Sequence, residues 1–71
     1  MSTIEIQTTE GGRLSWVAIY QDSDDQRAIR WGDQLLSGFR RGEPRPYLRI
    51  LDRPLGKVIG AWQGAGYEAS E

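Results

Sequence analysis

Between residues 25 and 40 the apolar side chains recur every three or four positions, and on either side of that stretch they recur every second position. A helix repeats about every 3.6 residues and a strand every two, so the change of period and its reversal constrain the chain to one amphipathic helix between two strand-rich segments.

The first strand-rich segment alternates Ile4 and Ile6 with Glu5 and Gln7, breaks at Glu10-Gly11-Gly12-Arg13, and resumes over residues 14–20 with β-branched and aromatic side chains. Gly11 and Gly12 predict a two-residue hairpin turn, since glycine reaches the left-handed backbone such turns require. That loop sets Glu10 opposite Arg13, Ile6 opposite Val17 and Ile4 opposite Ile19. The four aliphatics then share a face, and Glu5, Gln7, Trp16, Ala18 and Tyr20 take the other.

Ser23 followed by Gln26 forms a capping-box pattern, and Asp24 and Asp25 sit where the helix dipole favours anions, so a helix starts here. Ala28, Trp31, Gly32, Leu35, Leu36 and Phe39 fall within a stripe roughly 140° wide, with Ile29 at its margin, which reads as a core face. Arg40 and Arg41 complement the C-terminal dipole, Gly42 can adopt the left-handed conformation, and Pro44 and Pro46 forbid continuation; the helix is expected to end near residue 40. Residues 47–51 and 57–62 form a second hairpin around Asp52-Arg53-Pro54-Leu55-Gly56. Asp52 is expected to face Lys57, Ile50 to face Ile59 and Leu48 to face Ala61, leaving Tyr47, Arg49, Leu51, Val58 and Trp62 on the opposite side.

The fold class is therefore α+β in the order ββαββ: a four-stranded, mainly antiparallel sheet with the helix on one face. Residues 1–62 form the domain, and the aperiodic residues 63–71 are expected to be a flexible tail. Seventy-one residues hold one hydrophobic core. Without cysteine or histidine the chain has neither a disulfide framework nor the usual structural zinc ligands. No apolar run approaches the ~20 residues of a membrane span, and residues 1–5 lack the basic and apolar regions of a signal peptide, so the expected location is the cytoplasm.

The same composition argues against catalysis. No histidine is present to act as a base near neutral pH, no cysteine to act as a nucleophile, and no serine has a recognisable base partner. Asp22, Asp24 and Asp25 lack the glycine and the distal glutamate of a calcium loop and read as a helix cap. No metal or cofactor is expected, and the chain reads as a non-enzymatic interaction module. Its helix can cover only one side of the sheet, which leaves Trp16, Tyr20, Tyr47, Arg49 and Trp62 as the expected surface for a protein partner or for self-association as a homodimer. The alternative is a single-stranded nucleic-acid binder that stacks bases on those aromatics and meets phosphates with Arg40, Arg41, Arg45 and Arg53. Residues 27–57 carry a local charge of about +5 within a chain of net charge −1.

Overall fold

The computed structural model describes residues 1–40, 42–62 and 66–70. Its elements are β1 (Ser2–Glu10), β2 (Arg13–Asp22), α1 (Asp25–Ser37), β3 (Leu48–Asp52), β4 (Lys57–Trp62) and β5 (Tyr67–Ala69). The strands form one antiparallel sheet in the order β2-β1-β3-β4-β5. The fold is α+β with five strands where four were expected. The additional strand comes from the segment assigned to a flexible tail: Tyr67 pairs with Trp62 and Ala69 with Gly60. Residues 63–65 and 71 of that segment lie outside the described residues.

Both hairpin turns form as the residues dictate. Gly11 and Gly12 have φ of +58° and +81°, and Gly56 has +70°, all in the region that only glycine enters without cost. The helix departs from expectation at both ends. Its N-cap is Asp24, whose carboxylate accepts from the Gln26 N–H, in place of Ser23; α1 stops at Ser37, where the Gly38 N–H returns to the Leu35 carbonyl.

The connection from β2 to β3 carries α1 across β1, so the helix packs over the middle of the sheet. Ile4, Ala28, Leu36, Leu48, Ile50 and Trp62 form the buried cluster between helix and sheet. Gly32 is buried in mid-helix, where a glycine costs about 1 kcal/mol relative to alanine. The reason is Trp62, whose ring lies against the helix backbone at that position and whose Nε1–H donates to Asp33 Oδ1 at 2.7 Å.

Two bulges decide which face each aromatic takes. The turns set the register as expected near each loop: Glu10 faces Arg13, Ile6 faces Val17, and Asp52 faces Lys57. Farther along, β2 gains one residue at Ile19 and β4 gains one at Ile59. A bulge shifts the alternation by one residue, so every side chain beyond it changes face. Ile4 therefore faces Tyr20 rather than Ile19, Ile50 faces Gly60 rather than Ile59, and Leu48 faces Trp62 rather than Ala61. Tyr20 and Trp62 move to the helix side, where Trp62 is buried in the core and Tyr20 packs against it.

Candidate functional site

The five residues expected to share one aromatic face are divided by the bulges. Trp62 is 1% exposed in the core. Tyr20 lies on the helix side, stacked on Trp31 with ring centroids 4.4 Å apart and planes 8° from parallel. Trp16 and Arg49 stay on the sheet face opposite the helix. Tyr47 precedes β3 and is exposed, its carbonyl accepting from the Gln7 N–H. The continuous aromatic platform read from the sequence is thus absent from the described residues.

Arg49 and Trp16 instead close over a carboxylate. Glu5 faces Arg49 across β1 and β3, and its side chain is only 9% exposed. Arg49 donates from Nε to Glu5 Oε1 at 2.7 Å, and its Nη2 pairs with the same oxygen at 2.7 Å; Arg53 Nη2 lies 3.7 Å from Oε2. The Arg49 guanidinium stands 4.2 Å from the centroid of the Trp16 ring, within cation–π range. Burying a carboxylate is costly unless it is paired and hydrogen-bonded, and two guanidiniums meet that requirement. These groups satisfy one another.

Among the described arginines of the nucleic-acid reading, Arg53 is set apart from Arg40 and Arg45. Arg40 and Arg45 precede β3 and Arg53 follows it, and a strand of five residues separates its ends by roughly 16 Å. Arg40 is 4.0 Å from Glu43, and Arg45 is exposed. Arg41 lies outside the described residues.

On the helix side, a shallow groove of about 320 Å³ runs between α1 and β2, lined by Tyr20, Arg27, Arg30, Trp31 and Gln34. Its cationic rim is half occupied: Arg27 reaches Asp22 at 3.0 Å and Asp24 at 4.0 Å. Asp22 also accepts from the Asp24 N–H at 3.0 Å and from the Tyr20 hydroxyl at 2.8 Å. The Asp24 amide and then the Tyr20 hydroxyl hold its carboxyl below the usual range, and the bond to Asp22 raises the Tyr20 phenol. Asp25 accepts from the Ser2 hydroxyl. The acidic cluster is thus committed to capping and bracing the start of α1. A larger concavity of about 640 Å³, lined by Met1, Gln21, Arg53 and Pro54, brings together no pair of groups suited to acid–base chemistry. Among the described residues, no three histidine, cysteine or carboxylate side chains are placed to hold a metal ion, and no helix is long and apolar enough to cross a membrane.

What the sequence reading missed is the edge of the sheet. β2 is an outer strand of ten residues, and residues 14–21 carry neither charge nor proline. Leu14 is 68% exposed, Val17 48% and Ile19 37%. The opposite edge, β5, has three residues and an exposed Glu68. The signal in the sequence was the run of apolar residues on both faces of β2; what hid its meaning was the strand order. No family model, curated protein or solved structure matches the chain.

Proposed function

We propose that this chain is a small non-enzymatic interaction module of the cytoplasm that engages a protein partner, or another copy of itself, along the free edge of β2. The observation that carries this reading is the contrast between the two sheet edges. Proteins usually blunt an edge strand by making it short or by placing lysine or proline on it, because its unpaired N–H and C=O groups template further strands. β5 follows that rule, whereas β2 presents ten residues with an uncharged middle and exposed aliphatics on both of its sides. Strand addition uses such an edge: the main chain supplies affinity and alternate side chains supply selectivity. Trp16, held under Arg49, flanks the edge on the open face, and the Tyr20–Trp31 groove flanks it on the helix side.

The lack of histidine and cysteine, together with carboxylates engaged in caps and ion pairs, supports a binding role over catalysis. Amide exchange on the dilute protein tests the reading. The outward-pointing amides of β2 are expected to exchange quickly when alone and to gain protection when an occupant is present. Slow exchange at those amides in the isolated monomer would show the edge to be already covered and would overturn the reading.

A further inference from the structure

We infer that the occupant of the β2 edge is a second copy of this chain, paired antiparallel about a two-fold axis so that two five-stranded sheets join into one. The inference rests on the β2-edge reading and specifies its partner.

A two-fold interface must be complementary to itself, since each copy presents the same surface. β2 meets that condition along its length. Its first residue is Arg13, which makes no ion pair among the described residues; its last is Asp22, held by Arg27, beyond which Asp24 and Asp25 cap and brace α1 yet stay exposed to a further cation. Antiparallel apposition brings the basic end of each strand to the acidic end of the other. Between the ends, residues 14–21 are uncharged, so no like charges meet in the middle. Parallel apposition in register would instead set Arg13 against Arg13 and acid against acid. Glu10, which faces Arg13 within the hairpin, belongs to the inner strand and is one strand removed from the edge.

The apolar groups fit the same arrangement. With opposite ends matched and the extra residue Ile19 left unpaired, Arg13 meets Asp22, Trp16 meets Ala18 and the axis passes at Val17. Val17 lies on the helix side opposite Ile6, yet its neighbours leave it 48% exposed; a second Val17 across the axis supplies the missing contact. Ala18 faces Glu5 on the open side and is likewise exposed. The bulge at Ile19 falls within each half of the joined pair and takes up the odd residue that separates matched ends from an axis at Val17. One shared strand pair makes a small interface, below the roughly 1,200 Å² of standard stable complexes, so the dimer dissociates on dilution.

The test combines sedimentation velocity from micromolar to millimolar protein with cross-linking, which the cysteine-free chain permits with single introduced thiols. Wild type is expected to shift from monomer to dimer, and Val17→Lys to remain monomeric with an unchanged circular dichroism spectrum. Under mild oxidation, Val17→Cys is expected to form a covalent dimer where Arg13→Cys does not, because only the former lies on the axis. Should Val17→Lys fail to fold, the cross-linking pair decides alone. A wild type that stays monomeric, a Val17→Lys variant that still dimerises, or preferential Arg13→Cys cross-linking overturns the inference. A monomer with fast-exchanging β2 amides removes only the second copy and leaves the edge open to another protein; a monomer with protected β2 amides removes the edge reading as well.

Discussion

The Trp62 indole lies so close to Gly32 that a Cβ at residue 32 would stand 2.6 Å from the ring. One residue on, Asp33 accepts the indole N–H. The helix and β4 are thus joined by a ring that needs a missing side chain beneath it and a carboxylate beside it. Gly32→Ala tests this relation, because two effects of opposite sign compete. Alanine favours the helix by about 1 kcal/mol. Overpacking a buried ring costs about 1–3 kcal/mol. A lower urea midpoint is expected for Gly32→Ala, and Trp62→Leu should abolish that penalty in the double variant. Additive losses would mean that the two residues are not coupled.

Asp33→Ala leaves the buried indole N–H without its acceptor, at a cost of about 1–3 kcal/mol. Asp33→Asn retains an acceptor oxygen and should recover most of the loss in the same denaturation assay. Equal losses from the two variants would count against a hydrogen-bonding role.

Gly60 faces Ala69 across β4 and β5, and the Tyr67 ring occupies the space that a Cβ at residue 60 would take. Gly60→Ala is expected to displace β5 while leaving the other four strands intact. The measurement is residue-resolved amide exchange: faster exchange at Ser70, whose N–H donates to Ile59, with little change at Ile4 or Ile50.

Glu5→Ala should destabilise the fold by about 3 kcal/mol, since it leaves Arg49 without the anion that orders it over Trp16. Tryptophan fluorescence should report the change, because the guanidinium is then free to leave the Trp16 ring. Unaltered stability and emission would show that the pair contributes nothing net.

Stability should fall at both pH extremes, partly through one hydrogen bond, Tyr20 to Asp22. The Asp22 carboxyl is lowered by the Asp24 amide and by Tyr20, so its contribution is present above the unfolded value of about 3.9 and is lost as pH falls through its folded value. The Tyr20 phenol is raised, chiefly by Asp22, so its contribution is present below about pH 10 and is lost as pH rises through its folded value. Tyr67, raised by burial, adds to the alkaline limb. Tyr20→Phe should flatten both limbs in pH-dependent urea midpoints; unchanged limbs would place the titrating groups elsewhere.

Much of the architecture was legible because it rests on local chemistry. The glycine turns, the apolar stripe from Ala28 to Leu36, and the register beside each loop all follow from period and from residues that tolerate positive φ. Legibility ended at Ile19 and Ile59. A bulge is a two-strand event, and nothing at either isoleucine distinguishes it from a regular strand residue. Tyr67–Ala69 escaped notice for a related reason: three residues show no period, and they become a strand because β4 offers an edge and Gly60 leaves room for a ring.

The sequence by itself determined a single helix with a committed apolar face, hairpins on both sides of it, and a chemistry without histidine, cysteine or an evident nucleophile. These depend on neighbours along the chain, whose spacing is set by covalent geometry. Only the tertiary structure decided that Tyr20 and Trp62 face the helix, that Glu5 is enclosed by Arg49 and Arg53, and that β2 is the long free edge. Those outcomes depend on which strands lie side by side and on how they twist to pack beneath one helix. The apolar area buried between residues far apart in the chain sets that choice, and local period carries no record of it.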